Sequence, residues 1–419
     1  MVMKGIRGFK DILPGEVEKW QYVESEARRV FGLFGFLELR IPVIERTELF
    51  ARSIGEATDI VGKEMYTFPD RDGDSLTLRP EATTSIMRAY LENGLNVKEP
   101  VGKYYFIGPM FRYERPQKGR YRQFHQIDAE ILGVREPEAD AEILVMLMRF
   151  LGGLSLKNLN LQINSLGDSA CRGPYREEIQ KFLRSKSEGL CEDCQRRLDT
   201  NPLRVFDCKK EECQAQLEGA PLVLDFLCQD CRGHFERVKG LLDELHLPYT
   251  VNPRMVRGLD YYTRTAFEVV AGDLGAQNAV CGGGRYDGLA EEIGGPPVPA
   301  IGFAIGVERL VMLLPAEKNY LRYPDVFLAA LGEEAQRKGF ALAQELRDAG
   351  VWVELDYEGK SLKSQMRKAD RLKSLRVIIL GEEELKKNRV LLRDMGTKAQ
   401  EEVPLEELVE RIRGAWNKA

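Results

Sequence analysis

The chain predicts an α+β fold, and three features of its 419 residues carry that prediction. An opening amphipathic helix runs into an extended segment, two strand-like runs flank a long polar connector, and strands and helices alternate after residue 325. At about 150 residues per domain, the length suits two or three domains with a large core. Lys and Arg number 61 against 66 Asp and Glu, a net charge of -5, with 43% hydrophobic and 30% charged residues. That balance belongs to a soluble globular protein and excludes a disordered or fibrous chain. The longest apolar runs, such as 300–307, fall short of the roughly 20 residues that cross a bilayer. Residues 1–13 mix Lys4, Arg7, Lys10 and Asp11 with no apolar stretch, so no signal peptide is expected. Eight cysteines are too few for a disulfide scaffold, and reduced thiols in a cytoplasm are expected. The mildly acidic total excludes global attraction to nucleic acid but leaves room for a local basic patch.

The first helix follows Pro14-Gly15, where Val17, Trp20, Val23, Ala27, Val30, Phe31 and Phe34 recur at helical spacing, and Gly32 and Gly35 stop it. The extended segment 37–44 comes next. Pro42 breaks it, because a proline cannot donate to a sheet ladder. Strand-like runs at 103–113 and 122–132 enclose the basic connector 114–121, which reads as a long hairpin loop. In the second run Ile127, Ala129 and Ile131 face one way, and Phe124, Gln126, Asp128 and Glu130 the other. A polar strand face is ordinarily solvated, but an aromatic ring on it suggests the floor of a site.

Seven of the eight cysteines fall between 171 and 247, in a stretch that reads as an inserted subdomain with helical charged segments. Cys191-x-x-Cys194 and Cys228-x-x-Cys231 have the spacing of a zinc ribbon, while Cys208 and Cys213 between them leave the ligand choice open. Cys171 and Cys281 read as structural, and His234 and His246 as ordinary residues. A strand-rich block at 253–270 precedes Gly282-Gly283-Gly284-Arg285, a Gly/Pro linker at 294–299, and a strand-to-helix unit at 300–314. After a linker at 318–324, strands at 325–331, 351–355 and 376–380 alternate with helices at 333–349, 361–372 and 405–416. That pattern implies a three-layer domain on a mostly parallel sheet.

No G-x-x-x-x-G-K-[ST] loop is present, and the glycine run is not a dinucleotide fingerprint, so neither a P-loop kinase nor a Rossmann dehydrogenase is expected. Arg112, Arg257 and Arg309 stand instead in strand-like segments, where guanidinium forks could meet phosphate oxyanions bidentately.

These segments together resemble a known family. Phe111-Arg112-Tyr113-Glu114-Arg115 through Arg122-Gln123-Phe124-His125-Gln126 resembles motif 2 of the class II aminoacyl-tRNA synthetases, and 302–310 resembles motif 3. The opening helix with the Pro42 strand resembles motif 1, the family's dimer interface. Arg257-Gly258-Leu259-Asp260-Tyr261-Tyr262, Gly283-Gly284-Arg285-Tyr286-Asp287-Gly288 and Leu78-Arg79-Pro80-Glu81-Ala82-Thr83 are similar to segments of the bacterial histidyl-tRNA synthetases. The resemblance covers essentially the whole chain. It implies a class II antiparallel-sheet catalytic domain at 1–323, with an insertion at about 171–250, and an α/β anticodon-binding domain at 324–419. It implies a cytoplasmic homodimer that joins L-histidine to ATP, with Mg2+, and passes the histidyl group to tRNA(His).

Residue by residue, the resemblance implies that Arg112 and Arg257 are catalytic. It implies a histidine site of Glu81, Ala82, Thr83, Arg112, Gln126, Glu130, Arg257, Tyr261 and Tyr262, with Glu130 and Tyr262 on the two ring nitrogens. Arg112, Phe124 and Arg309 would hold ATP, the last two sandwiching adenine. Arg115, Gln117, Lys118 and Arg120 of the hairpin loop would meet the tRNA acceptor end. Lys360, Lys363, Arg367 and Arg371 recur at helical spacing and suit either a solvated face or tRNA phosphates. The family does not generally need a structural zinc, so reduced, partly buried thiols are the expectation. The competing functions are a non-catalytic synthetase-like regulator of histidine biosynthesis and a class II synthetase for another amino acid. Arg112, Arg257, Tyr262, Arg309 and the whole terminal domain argue against the first, and the segment 257–262 against the second.

Overall fold

The computed structural model describes residues 3–55, 58, 60–117, 119–272 and 279–414, so Lys118 and Trp416 lie outside the described residues. The chain divides into two compact units, Met1–Asn319 and Tyr320–Ala419.

In the first unit the strands are β1 (Leu37–Glu38), β2 (Ile44–Arg46), β3 (Tyr66–Pro69), β4 (Ser75–Leu78), β5 (Gly102–Phe111), β6 (Gln123–Leu132), β7 (Leu159–Ser165), β8 (Thr250–Val251), β9 (Thr263–Ala271), β10 (Ala279–Arg285) and β11 (Ala300–Gly306). Among the described residues the main sheet runs β1-β5-β6-β11-β10-β9-β7-β8, and β2-β4-β3 form a small second sheet. The five inner pairings, from β5 to β7, are antiparallel, and the two edge pairings are parallel. Pro42 acts as expected: the chain leaves the main sheet after Glu38 and joins the small sheet at Ile44.

One face of the main sheet is closed by two helices, Val17–Leu33 and Pro137–Gly153. Tyr105, Ala129 and Phe303 lie in register across β5, β6 and β11, and Phe31 packs edge-on against Tyr105, Phe150 and Phe303 with ring centroids 5.5–6.0 Å apart. Ile127, Ala129 and Ile131 are buried beneath these helices. Each such large apolar side chain stabilises the fold by about 1.5–3 kcal/mol. The opposite face carries Phe124, Gln126, Asp128 and Glu130, as the alternation predicts. It is not solvated, however: Gln126, Asp128 and Glu130 are buried, covered by a cluster that includes Ala82, Ile86, Tyr261, Tyr262 and Tyr286.

The block expected to be strand from 253 is strand only from Thr263. Asn252-Pro253 and Gly258 interrupt the ladder, and Arg257 therefore lies on a loop. Arg112 lies just past the end of β5, and Arg309 is in the helix Val307–Leu313. None of the three arginines is on a strand.

The insertion contains the helices Ser169–Arg184, Glu192–Thr200 and Glu211–Gln216 around a small core of Tyr175, Ile179, Leu183, Leu198, Val205 and Leu217, and the helix Gln229–Glu244, which packs against Pro137–Gly153. The second unit has strands β12 (Val326–Ala330), β13 (Val353–Leu355), β14 (Arg376–Leu380), β15 (Arg389–Asp394) and β16 (Gln400–Pro404), in the order β13-β12-β14-β15-β16. Helices Glu333–Asp348 and Leu362–Arg371 pack on separate apolar clusters, which gives the expected three layers. The sheet is mixed: β14-β15 and β15-β16 are antiparallel. The final hairpin escaped the sequence reading because β16 buries only Val403 and so shows no alternation. The closing helix starts later than expected, at Leu408 after a 3-10 turn at Leu405–Glu407, and runs to Gly414, the last described residue. No helix among the described residues is long and apolar enough to cross a membrane.

Candidate active site

A cavity of about 470 Å³ opens on the polar face of the main sheet. Glu81, Thr83, Arg112, Arg120, Phe124, Gln126, Arg257, Tyr261, Tyr262 and Arg309 all line it. These residues come from five separated stretches of chain, and the sheet order is what gathers them.

One part of the cavity is acidic beneath its surface. The Glu130 carboxylate is fully buried and held from both sides: Thr83 Oγ1 donates to Oε1 at 2.7 Å, and Tyr286 OH donates to Oε2 at 2.5 Å. Glu130 does not itself form the wall, but Thr83 does, so the carboxylate is one hydrogen bond from the cavity. Burial pushes its pKa up to about 8, against the opposing effect of the two hydroxyl donors. Glu81 accepts from the Thr84 amide at 3.0 Å and is likewise pushed up by burial. Asp128, two residues before Glu130 on β6, has neither carboxylate oxygen hydrogen-bonded and is raised well above the usual range, by burial first and by Glu130 and Glu81 next. Three buried carboxyls that resist ionisation make an environment that gains from a cationic ligand. Gln126 Oε1 is also buried without a partner.

Arginines crowd the rest of the cavity. Arg112 is fixed by a hydrogen bond from Nε to the Pro80 carbonyl at 2.9 Å, and its guanidinium lies over the Phe124 ring at 5.2 Å. Arg257 lies 3.4 Å from Glu268 and over the Tyr262 ring at 5.4 Å. Arg309 donates to the Ala279 carbonyl. The helix bearing Arg309 is tied to β6 by Glu308, which accepts the His125 amide at 3.0 Å. Arg120 pairs with Glu114 at 3.2 Å, both on the cavity wall.

Two glycines leave room for site side chains here. A Cβ at Gly302 would stand 1.4 Å from Glu130 Oε2, and one at Gly282 would stand 2.0 Å from an Arg257 terminal nitrogen. The glycine-rich strands are therefore shaped around the two side chains with the sharpest expected roles.

Other expected site residues stand apart. Ala82 is buried in the apolar core. Arg115 lines a shallow separate depression with Arg7 and Tyr113. Gln117 is exposed, its backbone bonded both ways with Arg120 to close the loop. Residues not singled out from the sequence also face the cavity or support it: Arg204, Glu114, Glu268 and, behind the wall, Tyr286. Tyr286 stands in a segment already singled out for its glycines, whereas Arg204 lies in the insertion and gave no periodic signal. His234, expected to be an ordinary residue, belongs to a buried ionic cluster. It is buried, with Nε2 2.8 Å from Asp140, which also accepts from the fully buried Arg285 at 2.7 Å.

The cysteines also group differently from the expected ribbon. Cys191 and Cys194 cluster with Cys208 and Cys213, while Cys228 and Cys231 cluster with Cys171 and Asp168. The two C-x-x-C pairs fall in separate clusters because each sits at the start of a different helix.

An antiparallel sheet with helices on one face, an arginine-lined cavity on the other and an appended α/β unit has the architecture of a class II aminoacyl-tRNA synthetase. Residues 8–310 match the family model for histidyl-tRNA synthetase, and residues 325–415 match that of an anticodon binding domain. The chain is 55% identical to the histidine–tRNA ligase of Geobacter metallireducens, over 97% of its own length and 98% of the relative's. It is 54% identical to that of Syntrophotalea carbinolica over 99% and 100%. Apo histidyl-tRNA synthetase of S. aureus superposes with a TM-score of 0.84 at 38% identity, covering 98% and 100% of the two chains. The chain belongs to the histidyl-tRNA synthetase family.

Proposed function

We propose that the chain ligates L-histidine to tRNA(His) in two steps on this cavity. The single observation that carries the reading is the cavity's divided charge, with buried carboxyls behind one part and a group of arginines around the other. An amino acid brings an ammonium and a ring with two polar nitrogens to the first, and ATP brings a polyanion to the second. The ammonium is assigned to Glu81, Thr83 and Gln126, whose buried oxygens would gain a donor. The imidazole is assigned to Tyr262 and Glu130, with Ala82 and Tyr261 shaping the pocket from the core. Such a pocket rejects apolar isosteres, because a side chain without ring nitrogens would deny Tyr262 and the linked Thr83–Glu130 pair the polar partner that an imidazole supplies.

A carboxylate oxygen of histidine then attacks the α-phosphorus, and the bond to pyrophosphate breaks. Both partners are anionic, so fixed cations at the developing charge should supply most of the acceleration. Arg112 and Arg257 take that role, and Phe124 and Arg309 bracket the adenine. Magnesium enters with ATP as part of the substrate, and Glu114 and Glu268 are carboxylates on the same wall. In the second step a terminal tRNA hydroxyl attacks the activated carbonyl and AMP leaves. Arg115, Gln117, Lys118 and Arg120 suit the acceptor end, and the exposed Lys360, Lys363, Arg367 and Arg371 suit phosphates near the anticodon. A cytoplasmic homodimer completes this reading. The regulatory alternative gains nothing from the site, which keeps Arg112, Arg257, Tyr262 and Arg309 on one cavity.

The test is ATP–pyrophosphate exchange with each amino acid in turn. Histidine alone should support exchange. Equal exchange with proline, threonine or glycine, or none with any, removes the assignment. A second expectation concerns the C-terminal unit. A chain truncated after Asn319 keeps every adenylation residue and should still exchange pyrophosphate with histidine, yet charge tRNA at least tenfold more slowly, about 1.4 kcal/mol of lost contacts. Undiminished charging by the fragment would remove the anticodon-binding role.

A further inference from the structure

We propose that Cys191, Cys194, Cys208 and Cys213 bind one zinc ion, and that this ion fixes the segment of the insertion that reaches the active site. The four sulfurs all lie within 4.8 Å of one another. A tetrahedral zinc thiolate with bonds of about 2.3 Å has sulfur–sulfur edges of roughly 3.8 Å, so a small inward adjustment suffices. All four thiols are free of disulfide bonds, and Cys194, Cys208 and Cys213 are buried.

The local geometry favours thiolates. Cys191 is the residue that caps the helix Glu192–Thr200, and Cys194 lies in that helix's first turn, which makes a compact two-ligand knuckle. The Cys191 amide donates to Cys213 Sγ at 3.2 Å, a bond that stabilises negative charge on sulfur. Cys208 and Cys213 bring in two further segments, one after the 3-10 turn Pro202–Val205 and one in the helix Glu211–Gln216. The surrounding core is small, and small cores without a sheet commonly need a covalent or metal staple. An all-sulfur tetrahedral donor set selects zinc or iron over magnesium or calcium, and zinc needs no redox partner. The other cluster differs: Asp168 spends Oδ1 on the Ala170 and Cys171 amides, at 3.1 and 3.3 Å, and Oδ2 lies 3.6 Å from Arg264. It serves as the internal control.

The segment between the second and third ligands runs to the catalytic cavity. Asn201 Nδ2 donates to Asp260 Oδ1 at 2.7 Å, in the loop that carries Arg257. Arg204 lines the cavity, and Asp207, the residue before Cys208, interacts electrostatically with Arg257. An ion at the four cysteines would hold this segment at its base. The cysteines are then positioning residues for Arg204 and Asp207, and the metal assignment stands independently of the reaction proposed above.

Metal content of the full-length protein, measured by mass spectrometry after purification without chelator, tests the proposal. The Cys208→Ser/Cys213→Ser variant should contain one zinc equivalent fewer than the wild type, and Cys228→Ser should retain that equivalent. Absence of zinc from the wild type, iron in its place, or an unchanged content in the double variant overturns the assignment. A measurement on unaltered protein covers the case in which the variant does not fold. Cadmium-113 exchanged into the wild type should give a resonance in the four-thiolate region, whereas a resonance only in the range of oxygen-containing sites overturns the proposal.

Discussion

Replacing Arg257 by alanine should lower the single-turnover rate of histidyl-adenylate formation by roughly 10²–10³, the range for losing one preorganised electrostatic donor. ATP affinity should change far less, because the guanidinium is assigned to charge that develops only as the carboxylate attacks. Transfer to tRNA should suffer less than adenylation. Arg257→Lys should recover only part of the loss, since an ammonium cannot supply the two-pronged fork. The structure also offers a mundane role, for Arg257 lies 3.4 Å from Glu268 and could simply anchor its loop. That role predicts a lower melting temperature with normal turnover per folded molecule. Adenylation and thermal stability measured on the same preparations separate the two, and a destabilised but fully active variant would sink the catalytic assignment.

Glu130→Gln should make the unliganded protein more stable and the enzyme worse. Glu130 has a folded-state pKa of about 8 against an ordinary value of 4.5. Between those values the folded protein binds more protons than the unfolded chain, so this group's contribution to stability is greatest below pH 4.5 and is lost as pH rises towards 8. Glutamine does not titrate, and its amide can still partner the Thr83 and Tyr286 hydroxyls. The variant should therefore match the wild type at acid pH and exceed it by a few kcal/mol near pH 8, at about 1.4 kcal/mol per pKa unit. Histidine activation should meanwhile fall by roughly 10- to 150-fold in kcat/KM, the equivalent of about 1.5–3 kcal/mol for a hydrogen bond to a charged group. Unchanged histidine kinetics would take Glu130 out of the pocket. A stability difference independent of pH would refute the protonated carboxyl.

Elements with strong periodicity were legible from the residues: the opening helix, the 122–132 strand with its two faces, and the first half of the C-terminal unit. Arg257 and Arg309 were singled out from the residues and do line one cavity, but from a loop and a helix, not from strands. Their neighbours are apolar or aromatic enough to suggest strands, and only the proline and glycine breaks say otherwise. The Thr83–Glu130–Tyr286 linkage was invisible because its members are 47 and 156 residues apart in sequence. Periodicity reports which face a residue occupies, and it does not report what the sheet order will set against that face. For the same reason C-x-x-C spacing suggested one ribbon where the helices build two clusters.

The sheet order has a consequence for synthesis on the ribosome. Leu132 of β6 pairs with Ala300 of β11, and the segments between them include β7 to β10 and the whole insertion. At about 5–20 residues per second, the ribosome needs roughly 10–35 s to deliver the partner strand after β6 has emerged. During that interval β6 is a sheet edge with unpaired amides and carbonyls, the feature that invites strand pairing between chains. The β5-β6 hairpin closes early and locally, but Arg257 and Tyr286 arrive late in the wait and Arg309 after it. A nascent chain stalled inside the insertion would thus carry half of the cavity wall on an open edge, and a chaperone that shields unpaired strands would act there.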